Sequence, residues 1–129
     1  MTGTPVEDGV DVLLIDDDVT FCEIYQATLE RDGYRVATAG DGEAGVELAV
    51  RLRPSVIVLD IVLPRRDGFA VQHELRARPE TAAIPVVLMS NRDDPAAIRR
   101  GLALGARDVL LKIHTPPGAL STYLTDHLL

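Results

Sequence analysis

At 129 residues the chain has room for one domain, because a single hydrophobic core usually serves ~100 to 200 residues. Its composition, 47% hydrophobic and 26% charged, is ordinary for a globular protein, and a single cysteine, Cys22, excludes an internal disulfide and a cysteine-based zinc cluster. Thirteen basic against twenty acidic side chains leave a formal charge of −7, the wrong sign for a surface that holds nucleic acid by neutralising phosphates, so no direct nucleic-acid binding is expected.

The opening MTGTPVEDG has neither the basic nor the apolar region of a secretion signal, and no run approaches the ~18 apolar residues of a membrane span. A cytoplasmic chain without membrane contact is expected, also because cysteine is so little used. Residues 1–10 show no tie to a core and read as a flexible segment ahead of a domain covering 11–129. VLLI at 12–15 is the first of five short apolar runs. After it Phe21, Ile24, Tyr25, Thr28 and Leu29 recur at helical spacing, with Asp18 placed to cap the start and Gly33 to end the helix. Val36 in RVAT marks the second run. A helix near 42–52 turns Val46 and Ala49 inward and stops before Pro54, since a residue preceding proline is pushed out of helical geometry. Gly45 weakens it by about 0.5 to 1 kcal/mol relative to Ala. VIVL at 56–59, a helix over 67–77, VVLM at 86–89, a helix over 95–104 and VLL at 109–111 follow. The last helix opens at Pro116 or Pro117, where a proline in the first turn gives up no hydrogen bond.

Four of the runs are continuous and rich in β-branched residues, as strands buried on both faces are, whereas half-exposed antiparallel strands alternate. Strands alternating with helices and joined by right-handed crossovers give a doubly wound (βα)5 domain, three layers around a five-stranded parallel sheet. Such sheets bind ligands beyond the carboxyl ends of their strands.

The residues following the runs are chemically distinctive: Asp16, Asp17 and Asp18 after VLLI, Asp60 after VIVL, Ser90 after VVLM and Lys112 after VLL. Carboxylates crowded together repel one another and raise their pKa values unless a cation sits among them, and hard oxygen ligands favour Mg²⁺ or a similar ion. Mg²⁺ prefers one or two carboxylates plus waters and a phosphate oxygen, which leaves one carboxylate free as a nucleophile towards that phosphate. Asp60, single and ending the central strand, is the candidate; Lys112, the only lysine beside twelve arginines, is placed to neutralise a phosphoryl oxygen, and Ser90 to hydrogen-bond another. Taken one at a time these residues have plainer uses. Asp18 is fully explained as a cap, Ser90 as a turn residue and Lys112 as a solvated side chain. His73, His114 and His127 show no ligand spacing and read as surface or packing residues.

The segments LLIDDD, PSVIVLDIVLPRRDG, VVLMSN and GARDVLLK, in this order and spacing over most of the chain from Val10 to Leu129, resemble the receiver domain of two-component response regulators. The resemblance implies a flavodoxin-like fold with strand order 2-1-3-4-5, binding of Mg²⁺ or Mn²⁺, and transfer of a phosphoryl group from a sensor histidine kinase or phosphotransfer protein to an aspartate. The output would pass to a downstream protein or effector domain. It implies a phosphoacceptor rather than an enzyme, with self-phosphorylation and autodephosphorylation as accompanying activities. By position, Asp16 and Asp17 resemble the acidic metal pair, Asp60 the phosphoacceptor and further metal ligand, Val62 the residue lending its backbone carbonyl to the metal, Ser90 the switch hydroxyl and Lys112 the phosphate-binding lysine. Pro64 and Gly68 match the loop that follows. The chain departs from the pattern at three points. Ile113 stands where a proline usually follows the lysine, Val109 stands where the switch aromatic is usual, and no Lys or Arg follows Lys112 to complete the salt-bridge network by which many receivers dimerise. A trans Lys112–Ile113 bond and a switch centred on Ser90 are therefore expected.

Two other functions fit parts of the sequence. LLIDDDVT also resembles the opening motif of haloacid-dehalogenase-like phosphohydrolases, with Asp16 as nucleophile and Asp18 as acid/base, though this leaves Asp60 and LPRRDG unexplained and only Asp126 is acidic after Lys112. A receiver-like interaction module that signals without phosphorylation is the other. An FMN-type site is disfavoured, because the three carboxylates of DDDVT repel a phosphate.

Overall fold

A computed structural model describes residues 9–129, so residues 1–8 of the expected flexible segment lie outside the described residues. Val10, placed in that segment by the sequence pattern, is instead 8% exposed. Beside it Asp11 is tied down, its carboxylate accepting the Arg35 N–H at 2.8 Å and its carbonyl the Val56 N–H.

The order is β1 (Val12–Ile15), α1 (Val19–Arg31), β2 (Val36–Ala39), α2 (Gly42–Leu52), β3 (Val56–Asp60), α3 (Gly68–Ala77), β4 (Val86–Ser90), α4 (Pro95–Ala103), β5 (Asp108–Leu111) and α5 (Pro117–His127). A 3-10 turn over Lys112–His114 joins β5 to α5. All strands are parallel in the order β2-β1-β3-β4-β5, as expected. The three central strands are buried throughout because helices cover both faces: Leu13, Ile15, Ile57, Leu59 and Leu88 pack to one side, Val12, Leu14, Val56, Val58, Val87 and Met89 to the other. The edge strand β5, expected to be buried like the others, is only half-buried.

Aspartates end the approach to the first four helices: Asp18, Asp41, Asp67 and Asp94 each accept a backbone N–H of the first turn. Ile24, assigned to the inner face of α1, is 51% exposed, and Cys22 takes the inward position with Tyr25 and Leu29. The helix is rotated relative to the expected stripe because Cys22 and Tyr25 pack against β1 and α5. Two glycines mark close approaches rather than weakness. A Cβ on Gly45 would meet Ile15 Cδ1 at 2.6 Å, and one on Gly68 would lie 2.3 Å from the Asp60 carbonyl oxygen. Gly68 therefore lets the start of α3 press against the end of β3, where its N–H donates to the Ile61 carbonyl at 2.6 Å.

Candidate functional site

Strands β3 and β4 run one residue further than their apolar runs, so Asp60 and Ser90 are the last residues of strands rather than the first of loops. The register pairs Asp60 with Met89 and Ser90 with Leu111, which brings Asp60, Ser90 and Lys112 to one edge of the sheet beside Asp16. Asp16 and Asp60 are buried and Asp17 is exposed. Carboxylate oxygens of Asp16, Asp17 and Asp60 all lie within 4.8 Å of one another, an oxygen-only set that suits a hard divalent cation. With Lys112 they line a shallow pocket of about 340 Å³ whose remaining wall is Asp18, Phe21, Val62 and Asn91.

Each buried carboxylate is held at both oxygens. Asp16 Oδ1 accepts the Asp18 N–H at 2.9 Å and Oδ2 the Lys112 ammonium at 2.7 Å. Asp60 Oδ1 accepts the Val62 N–H at 3.2 Å and Oδ2 the same ammonium, also at 3.2 Å. Burial first, then the charge of Asp16, pushes the Asp60 carboxyl up to about 6 in spite of Lys112 and the Val62 N–H. Burial alone would lower the Lys112 pKa, but its bond to Asp16 and the charges of Asp60 and Asp16 outweigh that and raise it. Lys112 is thus the internal countercharge of two buried aspartates. Cys22 reaches the Asp16 carbonyl at 3.5 Å, and burial, followed by the acidic neighbours, pushes its thiol up to about 11, which keeps it protonated.

The remaining assigned residues fall into place unevenly. Val62 lines the pocket and is 63% exposed. Ser90 is buried, with its hydroxyl donating to the Arg92 carbonyl at 2.7 Å and accepting the Arg92 N–H at 3.2 Å, so it is engaged in its own turn. Val109 is half-buried, its methyl lying against Gly101 of α4. Asp18 caps α1 through the Phe21 N–H at 3.0 Å. The three histidines are exposed. No cis peptide occurs among the described residues, so the Lys112–Ile113 bond is trans, as expected. Phe21 and Asn91 were not singled out by sequence reading. The helical spacing of Phe21 identified a helix face, but nothing local shows that Lys112 lies over its ring, 4.4 Å from the centroid.

Fold and site together define a flavodoxin-like α/β domain with an acidic, lysine-faced pocket at the carboxyl edge of its sheet. The model of the response regulator receiver domain matches residues 12–122. Over 101 residues the chain is 41% identical to the transcriptional regulatory protein AfsQ1 of Streptomyces coelicolor, covering 78% of this chain and 44% of AfsQ1. Protein PilH of Pseudomonas aeruginosa is 39% identical over 103 residues, covering 78% of this chain and 84% of PilH. Among solved structures, the chemotaxis protein CheY4 of Vibrio cholerae matches with a TM-score of 0.85 at 28% identity, covering 93% of this chain and 99% of CheY4. The chain belongs to the response regulator receiver domain family. It spans less than half the length of AfsQ1 and of the other transcriptional regulators TcrX, PhoP and RpaA.

Proposed function

We propose that this domain accepts a phosphoryl group on Asp60 from a histidine kinase or phosphotransfer protein, as a cytoplasmic signalling element whose modified form alters binding to a downstream protein or effector domain. The observation that carries this reading is Asp60 itself: a buried carboxylate ending the central strand, oriented by the Val62 N–H and faced by the ammonium of Lys112. A carboxylate oxygen of Asp60 attacks the phosphorus of a phosphohistidine or acyl phosphate. A P–O bond forms as the donor's P–N or P–O bond breaks, leaving an aspartyl phosphate, while the departing imidazole takes up a proton or the acyl group leaves as carboxylate. Lys112 turns its ammonium from the two carboxylates to the added phosphoryl oxygens. Mg²⁺ or Mn²⁺ held by Asp16, Asp17, Asp60 and the Val62 carbonyl would supply neutralisation of the phosphoryl charge. Ser90 reaches the phosphoryl group only by releasing the Arg92 carbonyl, which makes its turn the switch, with Val109 offering no aromatic to follow it.

The phosphohydrolase alternative needs Asp18 as acid/base, and an Asp18 oxygen already accepts the Phe21 N–H in the cap of α1. Intact-mass spectrometry of wild type and Asp60→Asn, incubated with an acyl phosphate or a phosphohistidine protein with and without Mg²⁺, tests the reading. One phosphoryl group is expected on wild type, only with the metal. A label persisting in Asp60→Asn overturns the assignment.

A further inference from the structure

Lys112 has a neighbour that the phosphoryl-acceptor reading does not use. Its ammonium lies over the Phe21 ring, 4.4 Å from the centroid, on the site's α1 wall. One helical turn on, Tyr25 stacks against that ring with centroids 3.9 Å apart and planes tilted by 22°. The Tyr25 hydroxyl, buried at the far end of the stack, donates to the Thr115 carbonyl at 2.7 Å across 90 residues of chain. Thr115 in turn belongs to the segment carrying Lys112, since its N–H donates to the Lys112 carbonyl at 3.1 Å and its hydroxyl to the Leu111 carbonyl at 2.7 Å. The contacts close a ring: ammonium, Phe21, Tyr25, Thr115 and back to the Lys112 backbone. At the crest of the 3-10 turn inside it sits Ile113, 80% exposed.

We propose that Phe21 and Tyr25 are positioning residues for Lys112: the Phe21 face seats the ammonium, and the Tyr25 hydroxyl fixes the turn from which the lysine projects. The inference rests on the proposed function for its consequence. When the ammonium leaves the ring for a phosphoryl group on Asp60, the brace relaxes and residues Lys112–Thr115, with Ile113 outermost, report the change. An ammonium beside a ring face in a partly desolvated site is held by the ring quadrupole in addition to its two carboxylates, so its location does not depend on Asp16 and Asp60 alone. This gives β5 a link to switching that its Val109 cannot supply.

Lys112 is the only lysine of the chain, so protein labelled with ¹³C-lysine gives one side-chain signal set free of overlap. In the metal-free, unphosphorylated protein the Lys112 Hε resonances are expected upfield of ordinary lysine values through the Phe21 ring current. They should return to ordinary values in Phe21→Leu and stay shifted in Phe21→Tyr. Because the ammonium gives up the ring on moving to the phosphoryl group, the contact stabilises only the unmodified state. Phosphorylation by an acyl phosphate should therefore quicken in Phe21→Leu, by up to about 5- to 30-fold, the span of a partly desolvated cation–ring contact, and return to the wild-type rate in Phe21→Tyr. In Tyr25→Phe the lysine signal should remain shifted while the amides of Lys112–Thr115 lose most of their response to phosphorylation. An unshifted lysine signal in wild type, or a Tyr25→Phe response equal to wild type, overturns the inference even if Phe21→Leu does not fold. The seat is read before any donor is added, so absence of a phosphoryl group on wild-type Asp60 overturns the proposed function and the relay with it, while the lysine signal decides the seat separately.

Discussion

Replacing Asp60 by Asn is expected to stabilise the metal-free protein at neutral pH, although it removes the proposed phosphoacceptor. Asp60 is 4% exposed, and its carboxyl is raised from an ordinary value of 3.8 to about 6, by burial first and by the Asp16 charge second. A folded-state value above the unfolded one means that the native state binds the extra proton between these limits. Stability therefore falls as pH rises from about 4 through about 6, and the ionised form costs the fold about 3 kcal/mol above that window. Asn has nearly the same shape and no charge at any pH, so it avoids this cost. It also deprives Lys112 of one of two carboxylates, though the 2.7 Å contact with Asp16 remains. The net gain expected at pH 7.5 is then about 1 to 3 kcal/mol, or roughly 4 °C in Tm per kcal/mol at this chain length. Urea unfolding of both proteins in a metal chelator, at pH 4.5 and 7.5, checks it. The variant should exceed wild type by far more at 7.5 than at 4.5. Equal differences at the two pH values, or a less stable variant at 7.5, would show that the buried charge of Asp60 is fully compensated and the reasoning wrong.

Asp17→Asn should leave chelated protein within about 0.5 kcal/mol of wild type, because Asp17 is exposed and the crowding falls on Asp60, yet abolish the rise in Tm on adding Mg²⁺; a persistent rise would remove Asp17 from the ligand set. Gly68→Ala should cost about 1 to 3 kcal/mol in urea unfolding, since its methyl would sit 2.3 Å from the Asp60 carbonyl oxygen and 2.7 Å from Ile61 Cα, both backbone atoms; a neutral effect would mean that α3 can withdraw from β3. Ser90→Ala should destabilise by about 1 kcal/mol through loss of the two Arg92 contacts while mass spectrometry still finds the phosphoryl group on Asp60, and an unchanged midpoint would show that the turn holds without the hydroxyl.

The central strands were legible because a strand covered on both faces needs an unbroken apolar run, and each of the three has one, whereas their order across the sheet came from the family resemblance. The same logic located Asp16, Asp60 and Lys112, for parallel strands all end at one edge, so residues following successive runs must become neighbours. Helix caps were readable from Asp18, since capping acts over three residues. Other features escaped this local logic. The half-burial of β5, the outward turn of Ile24 and the tie of Val10 to the core depend on which neighbours cover an element, and periodicity is silent about cover.

Within the site, residue types and chain positions alone were enough to nominate the carboxylates, the serine and the lysine. Only the tertiary structure decided what each touches: Lys112 shared between Asp16 and Asp60, Ser90 turned to Arg92, and Phe21 with Tyr25 braced between the lysine and Thr115. The partners in these long-range contacts lie 96, 52 and 90 residues apart for Lys112–Asp16, Lys112–Asp60 and Tyr25–Thr115. Backbone patterns repeat over a few residues and can be read along the chain, whereas a hydrogen bond or a ring contact requires atoms within a few ångströms, a condition met only once the helices have packed on the sheet.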